Sequence, residues 1–245
     1  MSYSGTKESN SHFDKNQATI HGYLEKEPAY DHTYNGENFY ELSVSVVRYS
    51  GVKDIIPCII SENMYEQNQP WLSEGMFVSI NGEVHTHHIA VAGTKKHKML
   101  VFLFAHNIEP DLVSASKAKT ANDDVDFYCK KNSQLEDFFD KDSFINDIEI
   151  CGYICKQPIF RETPNGRHIT DLHIAVNRPN GKSDYIPCIC WGEYAYEAFN
   201  LPVGTPVTIS GRFQSREYAK KIDAEIQTFT AYEVSISTLN SISKD

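Results

Sequence analysis

Apolar and polar residues alternate along much of this chain in short runs. Glu41–Arg48, Phe77–Gly82, Leu100–Ala105, Ile169–Val176 and Val207–Phe213 are rich in Val, Ile and aromatic residues. Their two-residue period predicts half-buried strands. Asn35-Gly36, Asn165-Gly166 and Arg178-Pro179-Asn180-Gly181 stand between such runs. Asn and Gly tolerate the positive φ of tight turns, so these are turn signals. Two stretches, near Glu62–Gln67 and at Glu193–Phe199, predict short helices.

The pattern occurs twice. At a shift of 130 residues, ATIHGYLEKEP (18–28) lies over IEICGYICKQP (148–158), and Asn35-Gly36 meets Asn165-Gly166. Leu42, Arg48, Gly51 and Asp54 meet Leu172, Arg178, Gly181 and Asp184, and Ile56-Pro57-Cys58-Ile59 recurs as Ile186-Pro187-Cys188-Ile189. One residue is then lost, so Gly75, Ile80 and Gly82 match Gly204, Ile209 and Gly211. The chain therefore divides into two copies of one domain, 16–110 and 148–238. Each copy has about five strands with a helix after the third, the outline of an OB-fold Greek-key barrel. The expected fold is all-β with minor helix, two five-stranded OB folds in tandem.

Between the copies, residues 111–147 hold five Lys against nine Asp+Glu. Ser114 to Asn122 has the composition of a flexible linker. NSQLEDFFDKDSF (132–144) fits a short helix, which would either dock a partner or cover one end of a barrel.

Composition narrows the class. A net charge of −10, from 23 Lys+Arg and 33 Asp+Glu, with 40% hydrophobic residues, suits a soluble globular protein. It argues against a polyanion coat but leaves room for a local basic groove. No apolar run approaches the ~20 residues of a membrane span, and MSYSGTKESN is too polar for a secretory signal. The expected location is the cytosol. The six cysteines are sparse, and four lie in apolar runs, as reduced core thiols do.

Alternation in the second copy puts Tyr185, Pro187, Ile189 and Trp191 on one strand face and Ile186, Cys188 and Cys190 on the other. The second set is compact and apolar, as a barrel interior requires. Further on, Arg212, Gln214, Arg216 and Tyr218 share a parity, with Lys220 and Lys221 just beyond. Within 212–221 four cations face only Glu217. Cations beside exposed rings suit single-stranded nucleic acid, because bases stack on rings and Lys/Arg neutralise phosphates. The same rings would also suit packing against a neighbouring subunit.

These residues resemble the bacterial single-stranded DNA-binding protein (SSB) family. The resemblance covers about 148–218: a G-x-[L/I]-x-x-x-P opening, TPNG, an LAVNR-like strand, D-[F/Y]-I-x-C-x-x-W and GR-[L/F]-Q-[S/T]-R-x-Y. It implies base stacking on Tyr185, Trp191 and Tyr218; Arg178, Lys182, Arg212, Arg216, Lys220 and Lys221 are expected to contact phosphates, with Gln214 among them in the DNA-binding set. It also implies a homodimer, whose four barrels would equal the number in a family tetramer. The first copy departs from the pattern. It has Ile55 and Ser61 for the two rings of the third strand, and Glu83, His87 and Ile89 for Arg212, Arg216 and Tyr218. That copy is expected to be mainly a scaffold, binding weakly or through Arg48, Tyr49 and Lys95-Lys96-His97-Lys98. The chain ends STLNSISKD, without the family's acidic, phenylalanine-closed tail, so recruitment of proteins through such a tail is not expected.

No enzyme signature competes with this reading. P-loop, dinucleotide and G-x-S-x-G patterns are absent from the sequence. His85-Thr86-His87-His88 lacks a carboxylate or cysteine at ligand spacing, and is expected to be a solvated strand or turn. Cys188-Ile189-Cys190 and Cys151–Cys155 do not follow a zinc pattern. Asp184, matched by Asp54, is expected to fix a turn. No metal or cofactor is called for. The expected function is sequence-tolerant binding of single-stranded DNA in replication, recombination or repair. The alternative is a primosome-type protein–protein adaptor, and an RNA- or oligosaccharide-binding OB domain is a third class.

Overall fold

A computed structural model describes residues 14–90, 97–111, 141–163, 165–222 and 225–241; of 220–222 and 225 only the backbone is described. The first copy is built from β1 (Lys15–Leu24), β2 (Ala29–Tyr34), β3 (Glu37–Val47), β4 (Lys53–Ser61), α1 (Glu62–Asn68), β5 (Phe77–Ala90) and β6 (His97–Pro110). The second repeats the order: β7 (Ile145–Ile154), β8 (Ile159–Glu162), β9 (His168–Asn177), β10 (Ser183–Trp191), α2 (Glu193–Phe199), β11 (Pro206–Ile222) and β12 (Glu225–Ser241).

Each copy closes a five-stranded barrel. In the first the circuit is β1-β3-β4-β6-β5 and back to β1, and in the second β7-β9-β10-β12-β11 and back to β7. Only β4–β6 and β10–β12 run parallel; the other neighbours are antiparallel. This is the OB-fold circuit, with the helix between the third and fourth barrel strands. β2 and β8 extend β3 and β9 at the outer edge.

The period-2 pattern explains the cores. Ile56, Cys58 and Ile60 point into the first barrel and Ile186, Cys188 and Cys190 into the second, all buried. Ile20, Leu42 and Ile80 meet them from other strands, as Ile150, Leu172 and Ile209 do in the second copy. Gly82 and Gly211 each sit at a bulge in the fourth barrel strand. A Cβ there would overlap the carbonyl oxygen of Phe104 or Ser235 across the strand, so only glycine lets the strands approach. The five cysteines among the described residues are unpaired, and Cys129 lies outside them.

The two barrels form one unit. β1 and β7 pair antiparallel over seven residues, and Ala18 faces Ile148, its own counterpart in the repeat. A pseudo-two-fold axis therefore runs between these two residues. Asp54 and Asp184 flank it, both fully buried. Asp184 takes a doubly hydrogen-bonded guanidinium from Arg178 in its own barrel and the backbone N–H of Thr86, at 2.6 Å, from the other. Asp54 does the same with Arg48 and with the N–H of Ser215, at 2.9 Å. Asp184 thus holds Arg178 beside its turn, as expected, and in addition docks the barrels.

Other elements differ from the sequence-based expectation. β5, β6, β11 and β12 run well past the expected strands and form two long hairpin arms. Most of the expected 132–144 helix lies outside the described residues; Lys141–Ser143 is a single 3-10 turn. Phe144, which follows it, packs edge-on against Tyr23 and Phe77 and covers an end of the first barrel. No helix among the described residues is long and apolar enough to cross a membrane.

Candidate nucleic-acid interface

The outer face of the second barrel is continuous across β8, β9, β10, β12 and β11. Pairing aligns Ile189 with Ser235, and Ser235 with Arg212; nearer the helix it aligns Arg161 with Ile169, and Ile169 with Trp191. Tyr185 and Tyr218 are 44% and 41% exposed, while Trp191 is half-buried. The Tyr218 ring stacks on Phe229 across the arm at 5.7 Å, and the Arg216 guanidinium lies 5.9 Å from its centroid. One face of this ring is thus backed by protein, which fixes its orientation.

A polar spine crosses the middle. Arg212 donates to Gln214 at 3.2 Å, Gln214 donates to Glu233 at 2.9 Å, and Arg216 donates to the same Glu233 oxygen at 3.4 Å. Gln214, Glu233, Ser235 and Ile189 are buried, so this part of the face is closed floor and not open contact surface. Arg216 remains exposed. Arg212 sits deeper, where burial, followed by the Arg48 guanidinium, pushes it below its ordinary range, with Asp54 opposing. Its Nε is buried without a hydrogen-bond partner among the described residues.

The expected site residues therefore separate. Tyr185, Tyr218, Arg216 and Lys182 are exposed, and Trp191 lies at the far end of β10. Arg178 is committed to Asp184, and Arg212 and Gln214 to the spine. Lys182 lies 5.7 Å above the ring of Tyr34 from the first barrel, a cation–π contact across the two copies. The side chains of Lys220 and Lys221 lie outside the described residues, as do Lys95 and Lys96. Arg48 is taken by Asp54, and Tyr49 donates to Asp142 at 2.7 Å.

Sequence reasoning missed Arg161. It reaches this face from β8 and forms two hydrogen bonds with Asp171, at 2.6 and 2.9 Å, which push its pKa up. Its side chain is partly exposed. Its place beside the turn Asn165-Gly166 was the available signal, because a hairpin edge strand must lie against β9.

The first barrel is not bare on the matching face. The bulges bring the two arms into common register: Glu83 faces Phe104 where Arg212 faces Ser235, and His85 faces Phe102 where Gln214 faces Glu233. The first copy thus carries its large rings on the returning strand. His85 stacks on Phe104 at 5.1 Å and 9°, Phe104 meets Phe39 at 6.2 Å, and Phe39 stacks on His32 at 5.0 Å. His85, expected to be solvated, is buried in this stack. Among the described residues no group of three or more His, Cys, Asp or Glu is placed to hold a metal ion.

Residues 145–242 match the Single-strand binding protein family, the whole of the second barrel and its arm. Over this barrel the chain is similar to the single-strand binding protein family. It is 33% identical over 81 residues to the single-stranded DNA-binding protein of Oceanobacillus iheyensis, covering 30% of this chain and 50% of the relative. It is 32% identical over 81 residues to single-stranded DNA-binding protein A of Bacillus subtilis, covering 30% and 47%. The chain spans about half the length of the curated relatives it matches. The fold is shared over nearly the full length with the wild-type single-stranded DNA binding protein from Thermus aquaticus. That match has a TM-score of 0.63 and 18% identity, and covers 95% of both chains.

Proposed function

We propose that this chain binds single-stranded DNA without strong sequence preference, on the outer face of its second barrel. The observation that carries the reading is the exposed Tyr218 ring, stacked on Phe229 with the Arg216 guanidinium over it, on a barrel that matches this family. A base would stack against the exposed part of the ring while the guanidinium meets the adjoining phosphate. Tyr185 supplies a second ring, Trp191 a third, and Lys182 and Arg161 further positive charge at the edges of the face. Arg178, Arg212 and Gln214 act indirectly, by holding the barrels and the floor of the face in place. No step of bond making or breaking is needed. The biological setting is the bacterial cytoplasm, in replication, recombination or repair. Pairing of two chains would bring four barrels to one strand.

Titration with oligo-dT tests the reading. Binding should quench Trp191 fluorescence, with Trp71 in the first barrel as the unchanging background. Affinity should fall as salt rises, with a log–log slope of about −2 if roughly three phosphates are neutralised. Duplex of the same length should bind more weakly. Equal affinity for duplex, or a salt-independent Kd, would reject strand binding.

A further inference from the structure

The two outer faces have the same geometry and different chemistry. Because β2 carries a bulge between Tyr30 and His32, it is His32 that stands opposite Phe39, where Arg161 stands opposite Ile169 in the second barrel. On the arm, His87 faces Leu100 where Arg216 faces Ala231, and Glu83 occupies the place of Arg212. Imidazoles thus take the positions of two guanidiniums, and a carboxylate takes the third. Among the described residues seven histidines lie in the first barrel and two in the second.

The groups around these rings set their charge. Glu83 lies 3.1 Å from His85 and 3.4 Å from His106, so one carboxylate serves two imidazoles. His85 also faces Phe102 and Phe104 from β6, and Asp184 and Arg178 from the second barrel. His106 stands edge-on to Phe104, His32 meets Asp31 at 2.5 Å, and His87 is exposed opposite Leu100. With neutral imidazoles, the cluster of Glu83, His85 and His106 carries a charge of −1, which repels phosphate. With both protonated it carries +1. In the second barrel, the Arg212 that replaces Glu83 is positive at any physiological pH.

We propose that the outer face of the first barrel is a second contact surface for single-stranded nucleic acid, engaged when its imidazoles are protonated. The rings of Phe102, Phe104 and Phe39 form its apolar floor, and His32, His87 and His106 are its exposed, proton-dependent cations. This inference rests on the strand-binding reading above. A chain in mildly acidic conditions would hold the strand on both barrels, and in basic conditions on one. Burial pushes His85 below the ordinary imidazole value, against Asp184 and Glu83, so its part in the transition falls on the acid side of about 6.5.

The test is affinity for oligo-dT of about 35 nucleotides, long enough for two barrels at up to ~16 nucleotides each. It is measured at constant ionic strength at about pH 8 and about pH 5.5, on either side of the imidazole range. Wild type should bind about tenfold more tightly at the lower pH. Replacing the exposed imidazoles together (His32→Gln, His87→Gln, His106→Gln) should leave binding at the higher pH unchanged and remove most of that gain. Tyr185→Ala with Tyr218→Ala should weaken binding at both pH values while keeping the gain. His85→Gln, which installs the residue found at Gln214, is a second route should the triple variant not fold. An equal gain in wild type and histidine variants overturns the inference while leaving the second-barrel site standing. Absence of binding at the higher pH overturns the strand-binding reading and the inference with it.

Discussion

The carboxylate of Asp184, in the second barrel, accepts the backbone N–H of Thr86, in the first, at 2.6 Å. The Thr86 hydroxyl in turn accepts the N–H of Tyr185 at 3.0 Å, so a ring of the proposed site is tied to the other copy. Asp54 and Ser215 form the mirror-related contact. Each carboxylate is fully buried, and its compensation is shared between an arginine of its own barrel and an amide of the neighbour. The docking is therefore built from charge-assisted bonds that exist only when both barrels are in place.

Removing either carboxylate should destabilise the chain strongly, because an arginine and an amide lose their partner together. Asp184→Ala or Asp54→Ala should cost about 3–5 kcal/mol in urea unfolding, the range for breaking a buried pair. The double variant should show two unfolding transitions in place of one. A cost below about 1 kcal/mol for each would mean that solvent already compensates these groups.

Base stacking predicts an asymmetric response to ring removal. Tyr185→Ala with Tyr218→Ala should cost about 2–6 kcal/mol of oligo-dT affinity, one stacked base per ring. The repeat-related changes Ile55→Ala and Ile89→Ala should cost less than about 0.5 kcal/mol of binding, as ordinary surface changes do. Fluorescence anisotropy at one fixed salt concentration measures both. Equal losses would place the strand symmetrically over the two barrels.

The sequence shows the barrels clearly, because the Ile-Pro-Cys-Ile repeat and paired glycines record interior packing that both copies must satisfy. The site is less legible. Parity correctly groups Tyr185 with Trp191, but parity cannot reveal that Gln214 and Ile189 are covered or that Arg178 is spent on Asp184. Those facts depend on the neighbouring barrel and on hairpin register. The rings of the first copy were missed for a related reason. Phe102 and Phe104 sit on the returning strand, whereas matching position by position compares each residue only with its own counterpart. The alternation Phe102, Phe104, His106 was visible, and placing it on the outer face required knowing that Val101, Leu103 and Ala105 point inward.

The bulge glycines offer a test of the barrel closure itself. Gly211→Ala would push its new methyl into the Ser235 carbonyl, and Gly82→Ala into that of Phe104. Since the obstructing atom is backbone, relief requires moving a strand, and each change should cost about 1–3 kcal/mol. Gly211 adjoins Arg212, so its variant should also lower oligo-dT affinity. Urea midpoints together with binding at a concentration where the variant is folded would separate the two effects. An unchanged midpoint would mean the strands do not approach as closely as described.

One buried imidazole, His85, and one half-buried, His173, give the free protein a pH-dependent stability of defined sign. Burial lowers the pKa of His85, against Asp184 and Glu83, and burial followed by Lys156 lowers that of His173. Between the lowered folded value and about 6.5, the unfolded chain binds more protons than the folded one, so stability rises with pH across that window. Seen from neutral pH, it should fall as pH drops through about 6.5 and level off once both forms are protonated. The slope is at most about 1.4 kcal/mol per pH unit for each imidazole. His173→Gln and His85→Gln should each flatten part of the fall in Tm between about pH 7.5 and 5. Oligo-dT should restore more stability at the acid end than at the neutral end in the wild type, because a bound phosphate favours the protonated His85. In His85→Gln that excess should shrink while the contribution from His173 persists. A Tm that is flat across this range in the wild type would mean that these two rings ionise as freely in the folded chain as in the unfolded one.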